Sequence, residues 1–220
     1  MSTNLFDLTG KRALITGSSQ GIGFALAQGM AAAGASIVLN GRDTAKLGAA
    51  AEKMAAGDAT VSELAFDATD HDAVRTAIDG FEAESGPIDI LVNNAGMQFV
   101  SPVEDFPVDK WHAIIALNLT AAFHTTRLAV PHMKENGWGR IINTASAHSK
   151  TASPFKSAYN ASKHGIDGFT KTIALELAQT GVTANCISPG YAWTPLIEGQ
   201  IPDTMKARGL TREEVVNDVL

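Results

Sequence analysis

Tyr159 and Lys163 stand four positions apart in SAYNASKHG, a stretch that otherwise reads as a helix of small residues. On a helix, positions i and i+4 share one face, so the phenol and the ammonium point the same way. A free phenol titrates near pH ~10 and is a poor base at neutral pH, but a cation a few ångströms away favours the phenolate. Such a pair can take a proton from an alcohol or return it to a carbonyl oxygen. A Tyr–Lys pair standing alone is more often surface decoration than catalysis. Ser146 shifts that balance, because it ends the strand-like run RIINTAS, and open α/β sheets place their ligands at the carboxyl ends of strands.

The elements that must position these residues are legible as alternating runs. RALIT, SIVLN, SELAFD, DILVNNA, RIINTAS and TANCISP are short and β-rich, and Ala-rich helical patterns lie between them. Several are apolar at successive positions, as strands buried on both faces are. This predicts one α/β domain over residues 1–220, with a Rossmann-type, doubly wound parallel sheet. TREEVVNDVL opens with Thr211 three positions before Glu214, the spacing of a capping box, and predicts a last helix.

Between RALIT and the helical FALAQGMAAAG lies TGSSQGIG, with Gly17, Gly21 and Gly23. Glycines let backbone N–H groups approach a pyrophosphate, and the following helix offers unpaired donors and the positive end of its dipole. A tight turn with no ligand is the plainer reading of the glycines by themselves. The strand before them and the helix after them favour a dinucleotide.

The bulk numbers narrow the classes. At 220 residues, 45% hydrophobic and 18% charged, the chain has globular composition. A net charge of −6 gives no basic footprint for a nucleic-acid partner. No basic leader precedes an apolar run and no stretch offers eighteen uninterrupted apolar residues, so no membrane role and a cytoplasmic location are expected. The single Cys186, in an apolar run, reads as a small hydrophobe and fits a reducing compartment. The six histidines form no H-E-x-x-H spacing and no G-x-S-x-G occurs, so neither a metal site nor a serine hydrolase is expected.

The glycine turn matches the pattern TGxxxGIG. In order after it come NNAG at 93–96, Asn118 in ALNLT, Ser146, the Tyr159/Lys163 pair, and Pro189 and Gly190 ahead of Thr194. Taken together, from about residue 8 onward, these resemble the short-chain dehydrogenase family. The resemblance implies an oxidoreductase that uses NAD or NADP. It places Gly17, Ser19, Gln20, Gly21, Ile22 and Gly23 at the cofactor, with Pro189, Gly190, Thr194, Tyr159 and Lys163. Asn93, Asn94, Ala95 and Gly96 resemble the wall behind the adenine ribose. Asp67 resembles the residue at the adenine ring, although it could instead cap the next helix. In the same likeness Tyr159 moves the substrate proton, Lys163 tunes it and holds the ribose, Ser146 donates to the substrate oxygen, and Asn118 completes the set through a water.

Within the family, GWGRIINTASAHSKTASPFKSAYNASKHG and GVTANCISPGYAWTPLIEGQI look most like the 3-hydroxybutyrate dehydrogenases. That likeness implies a small hydroxy acid whose carboxylate is bound by Gln98, His148, Lys156 and Gln200, beside Ser146 and Tyr159. Charge-assisted donors suit a carboxylate. Phe99, Ser149 and Lys150 depart from the subfamily's pattern. FDLTGKRALITGS and VLNGRD also resemble gluconate 5-dehydrogenases, making a keto-sugar-acid reductase the alternative. The cofactor stays open: the hydroxybutyrate likeness implies NAD, and Arg42 in LNGRD could receive a 2′-phosphate. The family likeness further implies a homotetramer and a substrate lid at 191–220. Because relatives normally continue with a strand ending in a DGG motif, the 220-residue form is expected to lack the last strand and to be weak on its own.

Overall fold

The computed structural model describes residues 6–55 and 59–219. Each of the six β-rich runs becomes a strand: β1 (Arg12–Ile15), β2 (Ser36–Gly41), β3 (Val61–Ala65), β4 (Ile90–Asn93), β5 (Gly139–Thr144) and β6 (Val182–Ile187). They form one sheet in the order β3-β2-β1-β4-β5-β6, with every neighbouring pair parallel. The sequence expectation of a doubly wound parallel sheet is met.

Successive residues of one strand serve opposite cores, which is why the runs are apolar without alternation. Ala13 and Ile15 of β1, Ile37 and Leu39 of β2, and Ile90 and Val92 of β4 pack with Leu47, Ala50 and Met54. The last three belong to α2 (Thr44–Ala55), which shares its layer with α1 (Gly21–Ala32). Leu14, Val38 and Leu91, one position along each strand, face the other way, onto Val74, Ile78, Ala129, Met133 and Ile173. Those come from α3 (His71–Ser85), α5 (Ala121–Glu135) and α6 (Ser157–Glu176). Burying each such Leu or Ile contributes roughly 1.5–3 kcal/mol.

The helix leading into α5 begins at α4 (Val108–Ile115) and passes through a π-helical turn at Ala116–Thr120. By length and composition alone, Val108–Glu135 could cross a membrane. Here Ala121, Thr125, Ala129 and Met133 bury one side of it. After β6 come α7 (Pro195–Arg208) and the short α8 (Arg212–Glu214). The capping box read from the sequence forms as expected: Thr211 Oγ1 accepts from the Glu214 N–H at 3.3 Å, and Glu214 Oε2 accepts from the Thr211 N–H at 2.8 Å.

The chain runs outward from β1 to β3, then returns to the centre with β4 beside β1. At that reversal the loops leaving the two strands diverge and open a crevice at their carboxyl ends.

Candidate active site

A cleft of about 590 Å³ fills that crevice. The turn after β1 forms one wall, with Gly17, Ser19, Gln20, Gly21 and Ile22. Arg42 and Asp67 stand at the β2 and β3 ends, and Asn94, Ala95 and Gly96 form the opposite wall. Ser146, Tyr159 and Lys163 line its inner end with Pro189, Gly190 and Thr194. The structure thus gathers residues from distant parts of the sequence, from Gly17 to Thr194.

Two glycines are required by contact rather than by chance. Gly17 has φ +63°, and a Cβ there would lie 2.9 Å from Ala95 Cα. Gly23, behind the turn, would place a Cβ 2.5 Å from both Asn94 Nδ2 and the Gly17 carbonyl. Asn94 Nδ2 donates to the carbonyls of Thr16 and Gly17 at 3.1 Å each, so its amide clamps the turn to the opposite wall. Gln20, the N-cap of α1, makes no side-chain cap, leaving the first N–H groups of the helix to the cleft. A narrow backbone-lined channel ending at an uncapped helix start suits a pyrophosphate. The residues present therefore fit a dinucleotide. Gly23→Ala is expected to destabilise the fold by about 1–3 kcal/mol through overpacking and to weaken dinucleotide affinity. Thermal unfolding and a fluorescence titration with NADH and NADPH would check both; wild-type values in each would show that the turn yields freely.

At the inner end, Lys163 is 4% exposed and its Nζ donates to the Thr144 carbonyl at 2.6 Å. The Nζ sits 5.7 Å from the centre of the Tyr159 ring. Burial, which penalises the charged form, pulls the Lys163 ammonium down to about 8. Burial likewise pushes the Tyr159 phenol up, opposed by the Ser146 hydroxyl beside it. In the protein without a cofactor, then, desolvation is the largest influence on the phenol, and the lowering expected of the pair does not appear. Ser146 Oγ accepts from the His148 N–H at 3.2 Å, which leaves its own hydrogen to donate elsewhere.

Beyond Tyr159, His148 and Lys156 form a second, polar group with Tyr191. His148 packs edge-on against Tyr159 and Tyr191, with ring centres 6.1 and 6.0 Å apart. Lys156, directly before α6, is 3% exposed, and its Nζ lies 5.3 Å from the Tyr191 ring centre. No carboxylate among the described residues pairs with it. Burial first, and then the Arg208 guanidinium, lower the Lys156 ammonium to about 8. Gln200, on α7 and 4% exposed, has neither amide atom partnered, and Gln98 Nε2 is likewise buried without a partner. Buried amide groups left unsatisfied each cost about 1–3 kcal/mol, a cost that a polar ligand would offset.

Several sequence expectations change in detail. His148 is neutral at pH 7, since burial, and then Lys156, hold its imidazole below the ordinary histidine range. Asn93 does not reach the cleft. Its amide is buried, donating to Asn143 Oδ1 at 2.8 Å and accepting from Thr125 Oγ1 at 2.6 Å. Asn118 sits in the π-helical turn with its amide engaged, Oδ1 with the Met97 N–H and Nδ2 with the Met97 carbonyl and Ser162 Oγ. It fastens the segment after NNAG to the helix. Asp67 does not cap α3, because Asp70 does so, accepting from the Asp72 and Ala73 N–H groups. Asp67 instead binds Thr69 and pairs with Arg42 at 3.7 Å. Lys150 is drawn away from the cluster by Asp167 at 2.6 Å, and Phe99 stacks edge-on with Phe106. Arg208 was not singled out from the sequence, since only folding brings α7 over Lys156.

Comparison with known proteins agrees with this geometry. The sequence model of the short chain dehydrogenase family matches residues 11–204. The chain is 52% identical over 212 residues to the D-beta-hydroxybutyrate dehydrogenase of Rhizobium meliloti, covering 96% of this chain and 82% of that protein. It is 39% identical over 200 residues to the gluconate 5-dehydrogenase of Gluconobacter oxydans, covering 91% and 78%. A crystal structure of a gluconate 5-dehydrogenase from Burkholderia cenocepacia in complex with NADP and tartrate superposes with a TM-score of 0.85 at 42% identity, over 88% of this chain and 76% of that one. A dinucleotide cleft ending at Ser146, Tyr159 and Lys163, together with these likenesses, identifies an oxidoreductase that works with NAD or NADP, and the chain belongs to the short-chain dehydrogenase family.

Proposed function

We propose that the protein interconverts a small hydroxy acid and its keto acid, with 3-hydroxybutyrate and acetoacetate as the pair. The observation that carries this reading is Lys156, a buried ammonium with no carboxylate partner among the described residues, within electrostatic reach of His148, whose ring meets Tyr159 edge-on. A carboxylate would fill that gap with charge-assisted hydrogen bonds. The name of the relative at 52% identity supports the same substrate.

When bound, the nicotinamide supplies a hydride acceptor or donor. The chain's own residues do the rest. Lys156, with Gln98, Gln200 and His148 as neutral donors, holds the carboxylate. Ser146 Oγ donates to the substrate oxygen and stabilises charge developing there. Tyr159 takes the hydroxyl proton during oxidation or returns it during reduction. Lys163 keeps two N–H groups beyond its bond to Thr144 for the phenol and the ribose. Asn118 acts by holding the Met97 segment in place. The segment 191–220, which carries Gln200, serves as the lid over this group. We assign the working enzyme to the cytoplasm as a homotetramer, on the family likeness.

Arg42 bears on the cofactor. It is mostly exposed, and its pair with Asp67 at 3.7 Å is of a kind worth little, so its guanidinium is free to meet a 2′-phosphate. Arg42→Ala is expected to lower the preference for NADP over NAD by about tenfold. Equal ratios in variant and wild type would make Arg42 a bystander.

The deciding experiment is initial-rate oxidation of D- and L-3-hydroxybutyrate and of gluconate, each with NAD and NADP. Turnover of one 3-hydroxybutyrate enantiomer supports the reading. Turnover of gluconate alone would replace it by the keto-sugar-acid reductase that the relatives at 39% and 42% identity suggest.

A further inference from the structure

Arg208, in the last turn of α7, falls on the same helical face as Gln200 and Thr204, both of which are buried. Thr204 Oγ1 ties that face together by donating to the Gln200 carbonyl at 3.0 Å. From there the guanidinium reaches to the corner before α6. Its Nη2 donates to Ser153 Oγ at 3.3 Å, and its Cζ lies 5.9 Å from the centre of the Phe155 ring. That corner is firmly held. Phe155 has φ +67°, a backbone that a non-glycine side chain adopts at a cost of about 1–3 kcal/mol. It persists because the Phe155 carbonyl accepts from the Ser101 N–H at 2.9 Å and the Ser153 carbonyl from Asn160 Nδ2 at 2.9 Å. Lys156 is the next residue. Arg208 thus fastens the helix that carries Gln200 to the corner that carries Lys156, and in doing so brings a second positive charge against the first.

We propose that Arg208 is a positioning residue that makes seating of α7 depend on the negative charge of the substrate. Without an anion, Lys156 and Arg208 repel, and the latch on Ser153 and Phe155 works against that repulsion. A carboxylate held by Lys156 cancels it, and the latch and Gln200 seat together. The pocket then discriminates against neutral molecules of the same shape by opposing closure over them as well as by lacking a partner for them. The groups shown to act on Lys156 are consistent with this: the Tyr191 ring, neutral His148, and Arg208 as the charged neighbour. The inference rests on the carboxylate reading of the pocket.

The test compares 3-hydroxybutyrate with its uncharged methyl ester in wild type, Arg208→Gln, Arg208→Lys and Ser153→Ala, by initial rates and by hydrogen exchange of residues 195–208. In the wild type, the acid should slow exchange of α7 and the ester should not. Arg208→Gln should lower the acid-over-ester ratio of kcat/KM by about tenfold, with the loss falling mainly on KM. It should also move the alkaline rise of KM to higher pH, because Lys156 loses its cationic neighbour. Arg208→Lys should retain most of the ratio. Ser153→Ala should loosen α7 and leave the pH limb where it was. An Arg208→Gln protein with the wild-type ratio and pH limb would overturn the inference. If the wild type fails to oxidise the acid, the functional reading falls. The exchange data then still judge Arg208: no protection by the carboxylate, or protection that Arg208→Gln leaves intact, refutes its role.

Discussion

Tyr159→Phe is expected to lower kcat by about 10³-fold or more, with KM and melting temperature close to the wild type. Phenylalanine fills the same volume against His148, 6.1 Å away, and removes only the oxygen that moves the proton. The pH dependence adds a signature. Burial holds the phenol above its ordinary value, so at neutral pH the group is protonated and poised to donate. Reduction of the keto acid should therefore be favoured at neutral pH, and the oxidation rate should climb as the pH is raised. Rates of both directions between pH 6 and 10 would show this. A Tyr159→Phe enzyme retaining more than about a tenth of wild-type turnover would remove Tyr159 from the proton path.

Lys156→Met is expected to raise KM for the hydroxy acid by about 10- to 100-fold, the worth of a hydrogen bond to a charged group, and at the same time to make the ligand-free protein more stable. The two effects share one cause. Folding takes the Lys156 ammonium from its ordinary range down to about 8, so keeping it charged opposes folding. The unfolded chain binds more protons than the native one between about pH 8 and 10.5, so this residue destabilises the protein below that window and stops doing so above it. Methionine, of similar length and without charge, removes the penalty at neutral pH, a gain on the order of 2 kcal/mol. Carboxylate binding follows the opposite course, failing as the pH rises through about 8 and Lys156 loses its proton. Denaturant unfolding at pH 7 and pH 10, beside KM at each pH, separates the two. Lys163 also titrates near 8 and contributes the same trend, so the difference between wild type and Lys156→Met is the informative quantity. A variant that loses stability while binding acid normally would refute the assignment.

The architecture was legible because its signals are local. Strands buried on both faces, such as β1, β2 and β4, leave unbroken apolar runs, and all six β-rich runs became strands of one parallel sheet. The glycines at 17 and 23 were readable because strand, turn and helix follow each other directly, and a capping box spans only the four residues from Thr211 to Glu214. The Tyr159/Lys163 spacing fixed a shared helical face, and both side chains line the cleft.

Charge state and partnership were not legible, because they depend on what folding packs around a group. The phenol of Tyr159 is raised by desolvation, which exceeds the opposing hydrogen bond from Ser146. His148 turns out neutral for the same reason. Of two adjacent asparagines, Asn93 turns into the buried network between β4 and β5 and Asn94 turns to the glycine loop, a choice made by strand register and invisible to a motif. The sequence by itself therefore determined the sheet, the dinucleotide turn and the face on which the reacting pair stands. Only the tertiary structure decided which groups are charged, which amides lack partners, and that Arg208 meets Lys156, because burial and the approach of distant charges arise from chain segments that no short spacing connects.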